Sequence, residues 1–410
     1  MSSSRPNSIG IIACPGGEQF ADHIIRRLKG IYKKKYDRLA TGLAKKYDIA
    51  KAEAIRAINL QRDLGDARIH SAAPSEKLLP PSLKLPARFT RFANGEFKTE
   101  IQASVRGMEI YIIQDVENSF PLQFNDHGES HTLSVNDHVF VLFTAIDAAM
   151  QAGAASVTLV LPTYPFSRQH KKKSREALSA SMFGRMVEFL GVQRIIALDI
   201  HSKEIENCFH HLRLENLHAS YQIIRKLKGI VDLENEDIVV VSPDTGAVDR
   251  NRFYAGNLRR PLALLYKERD YTKVTRDASD SNITAVRLLG SVKDKVVFMA
   301  DDLIGTGGPL IKAMEFLKAE GAKKIICAAS LPLFSGQAVE AFEKAYREGL
   351  FHRIIGTNAV YHDESLLERE WYVQASISSL FAQVIFRHRH NRSLSALLDN
   401  REIIQRLLSQ

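Results

Sequence analysis

Cysteine is scarce in this chain and is not arranged to organise a fold. The 410 residues contain three cysteines, Cys14, Cys208 and Cys327, an odd number at wide separations. A disulfide framework or a zinc site needs several cysteines at short, regular spacings, and neither pattern occurs. Each cysteine lies in an apolar stretch, so we expect it to pack as a small hydrophobic side chain in a reducing cytoplasm.

Long hydrophobic segments are also missing. No apolar run approaches the roughly 20 residues that span a bilayer. The first residues, Met1 to Pro6, have no apolar core of the kind found in secretory signal peptides. A hydrophobic content of 45% and a charged content of 25% are typical of globular proteins. Because 410 residues exceed the size of one typical domain, two domains are predicted.

The chain carries a net charge of +9, which favours an anionic partner. Nucleic acid, a membrane surface and anionic metabolites are the three classes to weigh. The basic residues are not accompanied by zinc-finger spacing or by an aromatic RNA-binding pattern. We therefore expect phosphorylated small molecules as partners, and nucleic-acid and membrane binding are disfavoured.

Apolar runs alternate with helical patterns along most of the chain. Strands are predicted at 9–14, 109–114, 157–162, 194–199, 237–242, 262–266, 296–300 and 324–330. Helical spacing lies between most of them, for example at Val135, Val139, Leu142, Ile146 and Met150. Strands that alternate with helices through right-handed crossovers predict an α/β protein with doubly wound, mainly parallel sheets.

The region 30–86 is basic and helical up to Gly65. A first helix is predicted to end near Leu28, and Asp48 is predicted to cap a later one. One apolar stripe is formed by Tyr32, Tyr36, Leu39, Leu43 and Tyr47. We expect this stripe to be buried against the same subunit or a neighbouring one.

The most informative stretch is the strand 296–300 and the residues that follow it. The strand runs into Asp301 and Asp302, a turn rich in Gly and Thr, and then a helical pattern. Backbone N–H groups at such a helix start favour phosphate. Adjacent carboxylates beside a phosphate site suit a ligand that carries phosphate and hydroxyl groups, or a Mg²⁺ ion. The alternative is an ordinary strand, turn and helix with a solvated acidic pair.

Two further stretches could bind a nucleotide. After the strand 157–162, residues 168–175 contain five Lys and Arg side chains, or six basic residues with His170, a composition that suits polyphosphate. Upstream, a purine could stack on Phe92 while Asn94 or Glu96 reads its edge. A solvated charge run and a plain turn with a core Phe are the respective alternatives.

Polar residues at three other strand ends could complete a site. His201 and Asp244 could share a divalent cation, although a lone His is more often structural. Lys267 and Arg269 would share one face of an extended chain. They precede a polar segment, 270–281, that is either a disordered loop or a lid over substrate.

Taken in order, these motifs resemble those of the phosphoribosyl pyrophosphate synthetases, also called ribose-phosphate pyrophosphokinases. The similarity runs from Ile9 to about Leu398. The matching stretches are Phe92–Glu96, Ser104–Gly107, Asn136–His138, Tyr164–Arg175, Ala197–His201, Ser242–Asp244, Lys267–Arg269, Asp301–Gly308, Phe334–Gly336 and Thr357–Asn358.

The resemblance implies two domains like those of type I phosphoribosyltransferases. It also implies a homo-oligomer built from dimers, with a hexamer as the larger assembly. It implies transfer of the β,γ-pyrophosphoryl group of Mg·ATP to the C1 hydroxyl of ribose 5-phosphate, with release of AMP. The alternatives are a catalytically silent regulatory subunit of the same fold and a phosphoribosyltransferase.

The resemblance also assigns roles to individual residues. Lys267 and Arg269 would be catalytic, and His201 and Asp244 would be Mg²⁺ ligands. ATP would be bound by Phe92, Asn94, Glu96, Arg168 and Gln169. Ribose 5-phosphate would be bound by Asp301, Asp302, Gly305, Thr306, Gly307 and Gly308.

The predicted domains are residues 1–217, with the helical insertion 30–86, and residues 218–391. A tail, 392–410, is predicted to pack on the N-terminal domain. The sequence departs from the family pattern at His170, Gly305 and Pro309 and carries a second insertion at 120–134. Pro309 is compatible with the first turn of a helix.

Overall fold

The structure is a computed structural model that describes residues 9–65, 83–124, 130–172, 174–269 and 283–409. Its strands are β1 (Ile9–Ala13), β2 (Ala87–Arg91), β3 (Phe97–Ile101), β4 (Glu109–Ile113), β5 (Leu122–Gln123), β6 (Ser130–His131), β7 (Ser156–Val160), β8 (Val192–Leu198), β9 (Arg213–Leu217), β10 (Ile238–Ser242), β11 (Leu262–Arg269), β12 (Ile283–Leu289), β13 (Val296–Ile304), β14 (Lys324–Pro332), β15 (Arg353–Thr357) and β16 (Tyr372–Ala375).

The helices are α1 (Glu18–Tyr47), α2 (Lys51–Gly65), α3 (Val135–Gln151), α4 (Ser179–Phe189), α5 (Ser220–Leu227), α6 (Val248–Leu258), α7 (Gly308–Ala319), α8 (Ala338–Arg347), α9 (Glu364–Leu367), α10 (Ser378–Arg389), α11 (Ser395–Leu398) and α12 (Arg401–Leu408), with a 3-10 helix at Lys203–Cys208. Within the described ranges, no helix combines the length and apolarity that crossing a membrane requires.

The chain divides into two compact units. Unit 1 comprises Met1–Asn216 and Ser378–Leu397, and unit 2 comprises Leu217–Ile377 and Leu398–Gln410. The first boundary lies one residue from the predicted one. The C-terminal boundary differs from the prediction, because α10 belongs to unit 1 and α12 belongs to unit 2.

Packing explains this difference at the C-terminus. In unit 1, Phe381 of α10 lies edge-on against Phe20 of α1, with ring centroids 5.3 Å apart. In unit 2, the Gln405 side chain of α12 donates to the Asn257 carbonyl at 3.0 Å. Helix α10, which was predicted in the C-terminal domain, therefore belongs to unit 1. The predicted tail 392–410 does not pack as one piece on the N-terminal unit, because its residues from Leu398 onward, including α12, belong to unit 2.

Unit 1 contains a sheet in the order β1-β4-β7-β8-β9, with parallel pairing from β1 to β8. Alternate strand side chains, such as Ile110 and Leu159, pack with α3 and α4 in one core. The opposite face holds Tyr111, whose hydroxyl contacts His388 of α10. Helices thus cover both faces, as expected for a doubly wound sheet.

Unit 2 contains a larger sheet in the order β12-β11-β10-β13-β14-β15-β16. Its strands are parallel except for β12, which pairs antiparallel with β11. Strand residues such as Val297 and Ile325 form one core with Met314 of α7 and Phe342 of α8. On the other face, Phe298 contacts Tyr254 of α6.

The described part of the N-terminal insertion up to Gly65 consists of helices α1 and α2, but the first helix does not end near Leu28 as predicted. Helix α1 continues through Gly30 to Tyr47, and Asp48 caps its C-terminus in the left-handed conformation with φ 49°. Gly30 is tolerated because one helical glycine costs only about 1 kcal/mol. The cap at Asp48 lets α2 fold back on α1, where Ala40, Ala54 and Ile58 form a small core.

The predicted apolar stripe of α1 is divided in the structure. Tyr32 is buried, and its ring lies 5.3 Å from that of Phe386 in α10. Leu43 is half-buried against α2. Leu39 and Tyr47 are exposed. The stripe is therefore buried only where α10 or α2 reaches it.

A half-buried histidine in unit 1 should make stability depend on pH. Arg194 Nε donates to Nε2 of His388 at 3.1 Å, so Nδ1 carries the proton toward the Tyr111 oxygen at 2.6 Å. Burial, then the charges of Arg194 and Arg389, lower the pKa of His388 to about 4. Only the neutral ring fits between these groups.

We expect the contribution of His388 to the free energy of unfolding to be greatest above pH 6.5. This contribution should decrease as the pH falls from 6.5 toward 4. The unfolded chain binds the proton first, because its His388 has an ordinary pKa. One proton gives a slope of at most about 1.4 kcal/mol per pH unit, reduced because solvent reaches part of the ring. Urea unfolding of wild type and of His388→Gln between pH 5 and 8 measures how the free energy of unfolding changes with pH. Equal slopes of free energy against pH in the two proteins would contradict this role of His388.

Candidate functional site

The carboxyl edge of the unit 2 sheet has the features of a ligand site. From β10 the chain goes to β11 on one side, and β13 and β14 lie on the other. Ligands of open α/β sheets bind where the strand order reverses in this way. The pairing of β10 with β13 ends at Val241 and Met299. Asp244 and the pair Asp301–Asp302 follow directly at this edge.

An asparagine occupies the position where β10 and β13 separate. Asn251 of α6 is fully buried. Its Nδ2 donates to the Ala300 carbonyl at 2.8 Å, and its Oδ1 accepts from the Ala300 amide at 3.0 Å. Asn251 thus makes the two hydrogen bonds to the Ala300 backbone that β10 would otherwise make. They fix the backbone immediately before Asp301 while the strand edge remains open.

The two carboxylates after Ala300 occupy a negatively charged environment. Asp302 is buried, and its amide donates to Oδ1 of Asp301 at 2.8 Å. Burial raises the pKa of Asp301, and the nearby charges of Asp302 and Asp244 raise it further. A solvated acidic pair would show none of this. The arrangement favours a ligand that donates hydroxyl hydrogens or brings positive charge.

The turn after β13 presents its amides to one side. The carbonyls of Ile304 and Gly305 accept from the amides of Phe334 and Ser335, both at 3.1 Å. In a trans peptide the C=O and N–H point in opposite directions, so the amides of Gly305 and Thr306 face away from that segment. They point to the side where a phosphate could bind.

Gly307 is required by both conformation and space. It has φ 79° and is the N-cap of α7. A Cβ atom here would lie 2.5 Å from Cε2 of Phe342, whereas one on Gly308 would meet nothing within 4 Å. Pro309 lies in the first turn of α7, as predicted. A Cβ on Gly305 would meet only Leu303 at 3.8 Å, so space does not demand glycine there.

In unit 1, the loops after β7 and β8 bring several predicted residues together. Arg168 and Gln169 are exposed, and Arg168 lies close enough to Glu117 to oppose the rise in pKa that burial causes in that carboxyl. The rings of His170 and His201 meet edge to face, with centroids 5.3 Å apart. Lys171 pairs with Glu204 at 3.2 Å, which reduces the charge that the basic run offers to a ligand.

The Phe92–Glu96 turn is the tip of the β2–β3 hairpin. The Phe92 amide donates to the Glu96 carbonyl at 2.8 Å, and Oδ1 of Asn94 accepts from the Glu96 amide at 3.2 Å. Phe92 is 46% exposed, so the alternative of a core Phe is wrong. An exposed ring at a hairpin tip is suited to stacking.

Comparisons with known proteins decide the family. The N-terminal domain of ribose phosphate pyrophosphokinase matches residues 81–191, and a phosphoribosyl transferase domain matches residues 210–364. A ribose-phosphate pyrophosphokinase of Staphylococcus saprophyticus is 31% identical over 310 residues, which cover 75% of this chain and 88% of that one. Ribose-phosphate pyrophosphokinase A of Dictyostelium discoideum is 30% identical over 315 residues, which cover 77% of this chain and 90% of that one. The chain belongs to the ribose-phosphate pyrophosphokinase family.

A solved structure agrees with this family fold. The crystal structure of phosphoribosylpyrophosphate synthetase from Mycobacterium smegmatis matches 94% of this chain and 100% of that one, with a TM-score of 0.67 and 24% identity. The predicted family, α/β fold and enzyme class are confirmed. The regulatory-subunit and phosphoribosyltransferase alternatives are not favoured.

Some predicted site residues of this pyrophosphokinase stay predictions. The side chains of Lys267 and Arg269 and the segment 270–281 lie outside the described residues. His201 belongs to unit 1 and Asp244 to unit 2. Within the part of the chain that the structure describes, no group of three or more His, Cys, Asp or Glu side chains is placed to hold a metal ion.

The sequence interpretation missed Asn251. Its signal is weak, since asparagine is a poor helix former and lies inside a predicted helical stretch. Asn251→Ala would leave both Ala300 groups unpaired, and we expect unfolding to become easier by about 2–3 kcal/mol. Because Asp301 follows directly, we also expect kcat/KM for ribose 5-phosphate to fall about tenfold.

Asn257→Ala is the matched control for that substitution. Asn257 lies on the same helix, but its side chain donates to the Phe253 carbonyl and its own carbonyl accepts from the Gln405 side chain. Neither hydrogen bond involves β13. The Asn257→Ala variant should lose about 1 kcal/mol of stability and should keep the wild-type kcat/KM for ribose 5-phosphate. Chemical denaturation and steady-state kinetics measure both effects, and equal kinetic losses in the two variants would remove Asn251 from the site.

Proposed function

We propose that this protein transfers the β,γ-pyrophosphoryl group of ATP to the C1 hydroxyl of ribose 5-phosphate, giving 5-phosphoribosyl 1-pyrophosphate and AMP. The observation that carries this proposal is the Asp301–Asp302 pair followed by the Gly307 turn, at the strand reversal of unit 2. Family membership supports it.

Ribose 5-phosphate is proposed to bind at this edge of unit 2. Its sugar hydroxyls would donate to the carboxylates of Asp301 and Asp302, because burial and neighbouring negative charge raise the pKa of Asp301 and such donors relieve that repulsion. Its phosphate would lie at the start of α7, on the amides of Gly305, Thr306, Gly307 and Gly308. The helix dipole and the backbone donors both favour a dianion there.

ATP is proposed to use residues of unit 1. Phe92 would stack on the adenine, with Asn94 and Glu96 beside it. Arg168 and Gln169 would contact the nucleotide from the β7 loop. The exposed Phe92 ring and the exposed Arg168 guanidinium support these roles, because a side chain must be accessible to bind substrate.

Mg²⁺ is proposed as the cofactor, with His201 and Asp244 as its protein ligands. The donor chemistry fits in unit 2, where burial raises the pKa of Asp301, the charges of Asp302 and Asp244 raise it further, and a cation would relieve that repulsion. His201 is exposed in the loop that follows β8. When bound, Mg²⁺ neutralises charge on the phosphate oxygens of ATP. Two protein ligands suit an ion that keeps several waters.

Removal of one proposed ligand should change the metal requirement rather than the fold. We expect His201→Ala to raise the Mg²⁺ concentration for half-maximal activity about tenfold, since one contact is lost. His210→Ala, at an exposed position, is the control. Activity measured against Mg²⁺ concentration separates them, and overlapping curves would remove His201 from the metal site.

The proposed catalytic residues are Lys267 and Arg269. Pyrophosphoryl transfer spreads negative charge over phosphate oxygens, so cations that meet this charge stabilise the transition state. A segment that brings them only with substrate would also exclude water from ATP.

Assembly as a homo-oligomer is proposed from an apolar helix face. Met182, Met186 and Phe189 follow one another on α4 at helical spacing and are 45%, 42% and 91% exposed. Such a stripe is suited to a subunit contact. A cytoplasmic location is proposed because Cys14 and Cys327 are buried free thiols.

The test is incubation of the purified protein with Mg·ATP and ribose 5-phosphate. We expect AMP and phosphoribosyl pyrophosphate in equal amounts, and neither product when one substrate is omitted. A protein that forms no AMP would be a silent subunit. One that instead consumes phosphoribosyl pyrophosphate with a nucleobase would be a phosphoribosyltransferase.

A further inference from the structure

A cationic groove in unit 1 lies outside both family models. It is lined by Ile31, Lys34, Lys35, Arg38, Leu39, Phe386 and Arg392 and has a volume of about 490 Å³. The family models match residues 81–191 and 210–364, so every lining residue falls outside them. The groove is therefore formed by residues outside the two matched domains.

Helix periodicity produces the groove. The five lining residues of α1 fall at positions i, i+3, i+4, i+7 and i+8, which is one face of a helix. On this face the cations Lys34, Lys35 and Arg38 lie between the apolar side chains Ile31 and Leu39. The end of α10 supplies Phe386, and Arg392 lies three residues beyond the last residue of that helix, so two chain segments bring charge to the same place.

The cations of this groove repel one another. The ammonium of Lys35 lies 5.5 Å from the centroid of the Phe386 ring, and the guanidinium of Arg392 lies 5.6 Å from the same centroid. Burial, then the charges of Arg392 and Arg389, lower the pKa of Lys35. Lys35 also contacts His390 at 3.1 Å. Charges held this close favour an anion that relieves the repulsion.

Carboxylates do not neutralise the groove. No Asp or Glu is among the described residues that line it. Asp37, the nearest acidic residue along α1, is engaged by Lys51 of α2 at 2.7 Å. The nearby Arg389 pairs with Glu109 at 3.4 Å. Lys34, Lys35, Arg38 and Arg392 therefore remain as positive lining.

We propose that this groove binds a small molecule carrying two or more phosphate groups. Three cations on α1 and Arg392 from the segment after α10 match multiple phosphate oxygens, with Arg38 and Arg392 able to form forked contacts. Ile31, Leu39 and Phe386 add apolar lining beside these cations. The volume lies in the range of small-molecule pockets, roughly 300–1,000 Å³, and does not require a macromolecular partner.

Calorimetric titration of the full-length protein with inorganic tripolyphosphate, in the absence of Mg²⁺, tests the proposal. We expect the triple variant Lys34→Gln/Arg38→Gln/Arg392→Gln to lose one binding event per chain, or to bind at least a hundredfold more weakly. The matched control Lys33→Gln/Lys45→Gln removes two exposed lysines from the same helix outside the groove and should bind as wild type.

A second probe, inositol hexakisphosphate, separates two sources of the same chemistry. Preference for tripolyphosphate indicates a linear chain as in nucleotides, and preference for the inositol compound indicates phosphates carried on a ring. An unchanged isotherm in the triple variant, or an equal loss in the control, would overturn the proposal. So would a change in oligomer size by light scattering without a change in anion binding, because a second copy would then be the occupant.

This test does not depend on the proposed reaction. Binding is measured without substrates, and none of the substituted residues belongs to the proposed catalytic site. AMP release by the triple variant at saturating substrates should equal that of wild type. A protein without pyrophosphokinase activity could still bind tripolyphosphate in the groove, so the two proposals fail separately.

Discussion

Lys267→Ala should lower kcat by about two to three orders of magnitude while changing KM for ATP far less. The reason is that a cation aimed at transferring phosphate oxygens acts mainly in the transition state, where negative charge is spread over them. Binding of the ground-state nucleotide would be kept by Phe92 and Arg168. Initial rates of AMP release at varied ATP concentrations measure both constants.

Lys295→Ala is the matched control for this prediction. Lys295 precedes β13 at the opposite edge of the unit 2 sheet and pairs with Asp237 at 3.4 Å. Its removal should leave kcat unchanged and cost at most about 1 kcal/mol of stability. Near-normal turnover in purified Lys267→Ala would remove Lys267 from the mechanism.

Gly307→Ala should distort the turn that precedes α7 in unit 2, where the phosphate is proposed to bind. The methyl group would lie 2.5 Å from the ring of Phe342, and φ 79° is unfavourable for alanine. Left-handed backbone costs roughly 1–2 kcal/mol for a residue with Cβ, and the clash with a fully buried ring adds to it. We expect the turn to shift and kcat/KM for ribose 5-phosphate to fall by at least tenfold.

The neighbouring Gly308→Ala provides the comparison. A methyl group there meets nothing within 4 Å, and Gly308 begins α7, where alanine is a better helix former. Its kinetics should match wild type and its stability should stay equal or rise slightly. If both variants kept normal kinetics with ribose 5-phosphate, the phosphate would not bind on this turn.

Local signals in the sequence predicted most strands and several site positions. The apolar run 296–300 corresponds to β13, which extends to Ile304. The Gly-rich turn after it corresponds to the start of α7, with Pro309 in the first turn. These predictions succeeded because a buried strand and the start of a helix each depend on the types of a few adjacent residues.

Other features could not be predicted because they depend on packing between distant residues. Helix α1 runs past Gly30 because α10 and α2 cover its apolar side chains, and neither neighbour is visible in the residues around Gly30. The C-terminal region is divided because Phe381 meets Phe20 while Gln405 meets Asn257. Asn251 gains its role from Ala300, which is 49 residues away.

The sequence by itself determined the family, the α/β class and the order of motifs, because these are carried by short runs of residues. Only the tertiary structure decided which side chains meet. It placed Asn251 where β10 and β13 separate, brought His170 to His201, and set Phe386 and Arg392 against one face of α1. Contacts of this kind arise from the folding of the chain on itself, since the partners are far apart in sequence and no local pattern pairs them.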